Sequence, residues 1–259
     1  MLRKLVKYDL KWVNKLMVIY FSIALILSIL TRISSLFTES FIGNIIYLVL
    51  RGCVISCFVS IIINCIIRIW VRFKISLYKD ESYLTHTLPV SKCTLYNSKI
   101  ISLLISLIIS VIVIIICTLI AFLNTDMINF LKDLFSNKDI TFIVISIIIT
   151  SILEFIYMAN CGIVGILIGH KKNNNKVFKS VFIGIALYFI VQLIILGLIY
   201  AIGLINSDIN EMFNNISNYS GDTANVKSLV VIVNSMYTLF IVLMYFIGRK
   251  IFKKGINVD

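Results

Sequence analysis

Six long apolar stretches, separated by polar segments of different lengths, set the pattern of the sequence. An α-helix needs roughly 20 mostly apolar residues to cross the hydrocarbon core of a bilayer. The stretches run approximately Met17–Ser34, Gly43–Trp70, Ile100–Leu123, Ile140–Gly169, Val177–Ile205 and Val226–Gly248. This pattern predicts an all-α polytopic membrane protein with six transmembrane helices, which form a single transmembrane domain over residues 1–259.

The composition agrees with that prediction. Hydrophobic residues make up 60% of the 259 residues and charged residues 14%, whereas a soluble protein is about 45–50% apolar and about a quarter charged. A water-soluble fold of this length could not bury so much apolar surface. The lipid bilayer is therefore an expected partner of the chain.

The distribution of charge predicts the orientation. The chain has 24 Lys and Arg residues against 12 Asp and Glu residues, a net charge of +12. Most of the basic residues lie in the N-terminal segment, the loops after the second and fourth spans, and the C-terminal tail. Because loops rich in Lys and Arg stay in the cytoplasm, we expect cytoplasmic termini in a multi-pass protein of the cell (plasma) membrane. The basic excess is then a topology signal, and no nucleic acid partner is expected.

The N-terminal segment 1–16 has an amphipathic pattern of its own. Its Leu, Val and Trp residues recur at helical spacing, and Lys and Arg residues occupy the other faces. Such a helix lies in the headgroup plane, and Tyr8, Asp9 and Trp12 are the expected interfacial anchor residues. Asp9 lies on the apolar side, where a carboxylate needs a partner. The alternative is a solvated anchor helix in which Asp9 has no specific contact.

The loop over residues 72–99 is far longer than a connection between two spans requires. Apolar residues at helical spacing surround the acidic pair Asp80 and Glu81. Pro89 then ends any helix, because the residue before a proline disfavours the α conformation, and Ser91 can cap the helix that follows. The loop predicts a short cytoplasmic helix held beside two transmembrane helices. The alternative is an ordinary interfacial loop.

The stretch LYKDESYLTHTLPVSKCTLYNSK, residues 77–99, resembles the loop between spans two and three of bacterial ABC-2-type ABC transporter permeases. Its acidic pair, its T-L-P-V-S run and its closing Ser98-Lys99 all match those loops. The stretch Leu5–Lys11 is similar to the opening of the same permeases, with Asp9 in place of the usual Glu.

The resemblance implies the membrane-spanning permease subunit of an ATP-binding-cassette exporter, and its loop implies a coupling helix that docks on an ATPase. The residues expected to couple to that partner are Leu77, Tyr78, Asp80, Glu81, Tyr83, Leu84 and Pro89. The implied partners are two ATP-binding subunits and a second permease copy or a homologous permease. Antimicrobial peptides or drugs are the implied substrates.

Motifs for catalysis are missing from the sequence itself. It contains no Walker A pattern, so ATP hydrolysis is expected in a partner chain, which would bind ATP and Mg. No cofactor is expected in this chain, and it is interpreted as a transporter subunit and not an enzyme. His86 and His170 are far apart, so no metal site is expected.

Glu154 is the deepest charge in the predicted spans. A carboxylate at mid-bilayer is costly and should face the protein interior, where it is either a substrate-pathway residue or a structural, hydrogen-bonded carboxyl. Gly165 and Gly169 form a GxxxG pair that suits close helix packing. Two alternative functions stay open: a secondary transporter or channel that uses Glu154, and a non-transporting membrane scaffold or sensor subunit.

Overall fold

The computed structural model describes residues 1–79, 81–87, 89–123, 125–171, 175–206 and 223–254. Within these ranges the chain is helical and contains no strand. The helices are α1 (Leu2–Ser34), α2 (Phe41–Tyr78), α3 (Ser82–Thr87), α4 (Lys92–Phe122), α5 (Thr125–Ser136), α6 (Lys138–Gly169), α7 (Lys176–Ile205) and α8 (Thr223–Lys253), with one 3₁₀ turn at Ser35–Phe37.

Six of the helices are long and apolar enough to cross a membrane, namely α1, α2, α4, α6, α7 and α8. The prediction of an all-α polytopic membrane protein with six spans is confirmed. The helices extend beyond the apolar stretches, and α2 continues from Trp70 to Tyr78. Hydropathy marks the part of a helix that lies in hydrocarbon, whereas the backbone hydrogen bonding continues into polar sequence.

The N-terminal segment does not form a separate helix, and in this respect the structure differs from the prediction. Helix α1 is continuous from Leu2 to Ser34. The buried residues Val6, Asp9, Val13 and Met17 follow one another at helical spacing, so the face that packs against α2 and α4 extends through the whole segment. No Gly or Pro interrupts that face.

Helix α5 was not predicted, because residues 125–136 are too short and too polar to count as a span. Leu134 is buried, whereas its neighbour Phe135 is 71% exposed. A 12-residue amphipathic helix gives a weak hydropathy signal between two strong ones. It connects the two compact units into which the chain divides, Met1–Phe130 and Leu131–Asn257.

The first unit packs α1 and α2 against α4. The buried face of α4 carries a serine at every fourth position, namely Ser98, Ser102, Ser106 and Ser110. Ser98, Ser102 and Ser110 donate their hydroxyl hydrogen bonds to carbonyl oxygens of α4 itself. Small side chains with internally satisfied hydroxyls let neighbouring helices approach closely.

The second unit packs α6 against α7 and α8. Gly165 and Gly169 lie on the side of α6 that meets Ser180 and Gly184 of α7. A Cβ atom added to Gly165 would lie 2.6 Å from the Ser180 carbonyl oxygen, and one added to Gly169 would lie 2.6 Å from the Ser180 nitrogen. The two helix backbones are thus in near contact, and the GxxxG pair serves packing.

We expect the substitution Gly165→Ala to lower the thermal unfolding midpoint of the purified chain, because its methyl group would push α7 away from α6. The cost of such overpacking is about 1–3 kcal/mol. Gly197→Ala is the matched control, since a Cβ atom there would meet nothing within 4 Å. Equal midpoints for the two variants in detergent would contradict the close approach of α6 and α7.

Candidate functional site

Four charged side chains meet at the end of the first unit where α1 and α4 begin and α2 ends. Asp9 comes from α1, Arg72 from α2, Glu81 from the turn before α3, and Lys99 from α4. Asp9 Oδ1 accepts hydrogen bonds from Arg72 Nε and Lys99 Nζ, both at 2.8 Å. Arg72 Nη1 donates to both carboxylate oxygens of Glu81, at 2.7 and 2.9 Å. We call these four residues the ionic cluster.

Local sequence explains how these side chains reach one another. Asp9 shares the buried face of α1 with Val6 and Val13. Ser91 caps α4, with its side-chain oxygen accepting from the Thr94 nitrogen at 3.2 Å. The predicted cap at Ser91 is therefore confirmed. A helix that begins at Lys92 carries Lys99 two turns in, on the face that contains Leu95, Ser98 and Leu103.

The ionic cluster is electroneutral and most of it is dehydrated. The exposed fraction of the side chain is 3% for Asp9, 8% for Lys99 and 12% for Arg72, but 41% for Glu81. Buried charges are tolerated when they are paired and hydrogen bonded. Three of the charges are thus fixed inside the unit, and Glu81 is the member that solvent or a partner can reach.

The ring of Trp12 adds to the contacts of Arg72. The Arg72 guanidinium carbon lies 5.6 Å from the centre of the ring, and that of Arg68, one turn earlier on α2, lies 5.8 Å from it. Both separations are within the range of cation–π attraction. Trp12 was predicted to be an interfacial anchor, and its observed contacts are with these two arginines.

The predicted coupling residues fall into two groups. Leu77 and Tyr78 are buried, at 0% and 3% exposure, whereas Tyr83 and Leu84 of α3 are 72% and 73% exposed. Leu77 and Tyr78 therefore pack inside the first unit, which differs from their predicted contact with a partner. Sequence alone did not reveal that α2 continues this far and turns these residues inward.

The other predicted residues of this loop also have definite positions, with one exception. Glu81 pairs with Arg72, and Pro89 is exposed after α3. Asp80 lies outside the described residues. Tyr83 and Leu84, which we call the α3 apolar pair, are the large hydrophobic side chains that α3 presents to its surroundings.

The predicted anchor residues Tyr8 and Asp9 do not share one face of α1. Tyr8 is 69% exposed and Asp9 is 2% exposed, so they lie on different faces of α1. The expectation that Asp9 needs a partner is met by Arg72 and Lys99. Sequence reasoning did not identify these partners; the clue was a lysine, Lys99, at the start of a long uncharged stretch.

A second polar group surrounds Glu154 in the second unit. Glu154 Oε1 accepts hydrogen bonds from Tyr188 Oη at 2.8 Å and from Gln192 Nε2 at 3.1 Å, and both donors lie on α7. Gln192 Oε1 accepts in turn from Tyr237 Oη of α8 at 3.1 Å. The carboxyl group thus links α6, α7 and α8 through neutral donors. Sequence reasoning missed its partners, although Gln192 is the only glutamine of the chain.

A further polar contact lies one turn from Glu154 on α6. Asn234 of α8 accepts a hydrogen bond from the Thr150 hydroxyl at 2.8 Å and donates one to the Ser146 carbonyl oxygen at 3.3 Å. Interhelical hydrogen bonds of this kind are worth about 0.6–2 kcal/mol each in a membrane. The polar residues of the second unit therefore hold helices together.

Among the residues in the described ranges, no group of three His, Cys, Asp or Glu side chains could hold a metal ion. No known protein family, curated protein or solved structure matches the chain. The candidate functional features of the chain are the ionic cluster, the α3 apolar pair and the Glu154 contacts.

We expect Asp9→Asn to destabilise the chain strongly, because it leaves Arg72 and Lys99 without their shared counter-charge. Breaking a buried ion pair from one side costs about 3–5 kcal/mol. The thermal unfolding midpoint in detergent measures the effect, and Glu39→Gln, an exposed acid between α1 and α2, is the control.

The double variant Asp9→Asn with Lys99→Met tests the pairing itself. It removes one of the two stranded cations, so its midpoint should lie above that of Asp9→Asn alone. If the two losses were simply additive, Lys99 would not be a partner of Asp9 in solution.

We expect Glu154→Gln to keep the stability of the second unit, because a glutamine oxygen can accept from Tyr188 and Gln192 as the carboxylate does. Glu154→Leu should lower the unfolding midpoint, since two donors lose their acceptor at about 1–3 kcal/mol. Ser151→Leu, an exposed site on the same helix, is the control. A Glu154→Gln protein that is stable but inactive in transport would instead assign Glu154 to a substrate pathway.

Proposed function

We propose that this chain is the membrane-spanning permease subunit of an ATP-binding-cassette exporter, in which α3 receives force from a separate ATPase. The observation that carries the proposal is the attachment of α3. Its exposed apolar pair faces outward, while Glu81 connects it through Arg72 to buried charges on α1 and α4. The resemblance of residues 77–99 to the coupling loop of ABC-2-type permeases supports the interpretation of α3 as a coupling helix.

The ionic cluster supports a mechanical role for α3. A side chain pushed against Tyr83 or Leu84 displaces α3, and the Glu81–Arg72 pair passes the displacement to α2. Arg72 Nε and Lys99 Nζ share one oxygen of Asp9, so α1 and α4 must follow or the buried charges separate. Separation of buried charges is costly, which favours movement of the three helices as one body.

The proposal includes an orientation and a location. The α3 end of the first unit is cytoplasmic in this proposal, because Lys and Arg residues gather there. Both termini are then cytoplasmic, and the membrane is the plasma membrane. ATP and Mg bind in the partner subunits, two of which act with two permease chains.

The substrate is inferred from the resemblance alone. Antimicrobial peptides or drugs are the class that it implies, and export is the direction. The proposal stops at this class.

The proposal predicts that the chain, purified under mild conditions from its native membrane, brings with it a protein that contains a Walker A motif. The double variant Tyr83→Ser with Leu84→Ser should reduce that recovery at least about tenfold, as expected for the loss of two anchor residues at an interface. Peptide mass spectrometry of the co-purified material, together with its ATPase activity, provides the measurement.

The control is the pair Leu36→Ser with Phe37→Ser. These residues are 72% and 63% exposed and lie in the connection at the opposite end of α1, so the control also replaces one exposed leucine and one exposed aromatic residue with serine. Loss of the ATPase with both pairs, or recovery of no Walker A protein with the unaltered chain, would refute the coupling role.

The Glu154 contacts favour a second candidate, a secondary transporter or channel. A carboxyl group bridged to Tyr188 and Gln192 inside a helix bundle is a candidate ion-binding group. That function requires flux through liposomes that contain this chain alone, driven by an ion gradient. A partner without any substrate flux would point to a membrane scaffold or sensor subunit.

A further inference from the structure

Within the described part of the chain, Arg68 has no carboxylate partner. Its guanidinium lies over the Trp12 ring, and its Nε atom is buried without a hydrogen bond among the described residues. Asp9 and Glu81, the described acids in this part of the first unit, are paired with other cations, since Asp9 binds Arg72 and Lys99, and Glu81 binds Arg72. A half-buried arginine without a counter-charge is stabilised by an anion from outside the chain.

The charge pattern of α1 and α2 gives the depth of Arg68 in the bilayer. On α2, sixteen uncharged residues separate Arg68 from Arg51, and on α1 sixteen uncharged residues separate Lys15 from Arg32. Both intervals correspond to about 25 Å of helix, close to the thickness of the hydrocarbon core of about 30 Å. Arg68 and Lys15 therefore mark one hydrocarbon boundary on two neighbouring helices.

The register between α1 and α2 brings these two residues to the same level. Tyr20 donates to Asn64 at 3.3 Å, and Arg72 donates to Asp9 at 2.8 Å. Between these two contacts, α1 and α2 run in opposite directions, so the level of Arg68, halfway between Asn64 and Arg72, corresponds to residues 14 and 15 of α1. Lys15 is exposed there.

We propose that Arg68 and Lys15, backed by Trp12, bind the phosphate group of an anionic phospholipid at the end of the first unit where α1 begins. The occupant is a lipid because the site lies at the level of the headgroups, on helices that face acyl chains. The Arg68 guanidinium carbon lies 5.8 Å from the centre of the Trp12 ring, and guanidinium N–H groups bind phosphate oxygens in pairs. Lys15 adds a second positive charge from the exposed side of α1.

The site is separate from the proposed coupling role. It uses none of the ionic-cluster residues or the α3 apolar pair, and it requires only that the chain spans a bilayer. A lipid bound here would supply the negative charge that Arg68 does not receive from Asp9 or Glu81. It would also fix α1 and α2 at a defined depth in the bilayer. The basic residues nearby would otherwise attract anionic lipid only as a diffuse layer.

Native mass spectrometry of the full chain, released from vesicles of equal parts phosphatidylglycerol and phosphatidylcholine, tests the proposal. We expect preferential retention of phosphatidylglycerol, and a decrease of that preference by about fivefold in Arg68→Gln, the change expected for one basic contact with an anionic surface. Lys15→Gln should act in the same direction and is the safer variant for folding, because Lys15 is exposed.

The control is Lys4→Gln, which makes the same change in net charge on α1 but lies eleven residues, about 16 Å, outside the boundary. Arg68→Lys, which keeps the charge but not the paired N–H groups, should retain part of the preference. Equal retention of the two lipids by the unaltered chain would overturn the proposal. So would an equal loss of preference in Lys4→Gln and Lys15→Gln, which would indicate diffuse attraction alone.

Discussion

The first unit depends on a buried carboxylate, Asp9, that holds two cations from two other helices on one oxygen atom. None of the three charges is tolerable alone at this burial, because a lone ion loses its hydration without compensation. The geometry of one helix therefore constrains the other two. A slide of α1 by one turn relative to α2 or α4 would separate the charges. This constraint also explains why α1 continues as a helix through residues 1–16, for which the sequence predicted a separate interfacial helix.

Arg68 and Arg72 have different roles because only one of them pairs with the carboxylates of the ionic cluster. Arg72 lies four residues after Arg68 on the same face of α2, and both contact Trp12. Only Arg72 reaches Asp9 and Glu81, and it uses both. Arg68 is one turn closer to the hydrocarbon, where the described part of the chain offers it an aromatic ring and no acid. The position along the helix thus separates an internal structural cation from one that faces the lipid.

The sequence allowed prediction of the spans but not of their partners, for a physical reason. A helix that crosses the hydrocarbon core needs about 20 apolar residues in a row. This is a property of the local sequence, so the six long helices could be predicted from it directly. The partners of Asp9 are 63 and 90 residues away, and no local pattern encodes them. The short helix α3 was predicted from its apolar spacing, and the cap of α4 at Ser91 was predicted from the preference of serine for helix N-termini. The inward orientation of Leu77 and Tyr78 depends on where α2 ends, and helix ends are poorly marked when polar residues continue the helix.

The two units stabilise their buried carboxyl groups with different kinds of partner. The ionic cluster lies where α1 and α4 begin, and full charges there can be paired with little exposure. Glu154 lies near the middle of α6, and the donors to its carboxyl group are the neutral side chains of Tyr188 and Gln192. A cation at that depth would carry its own insertion cost of about 2.5–3.5 kcal/mol, so hydrogen-bond donors without charge are the less costly partners. Neutral donors need an acceptor oxygen but add no second ion at this depth. The α6–α7–α8 contacts are therefore hydrogen bonds without a counter-ion, whereas the first unit depends on the charge of Asp9 to balance two cations.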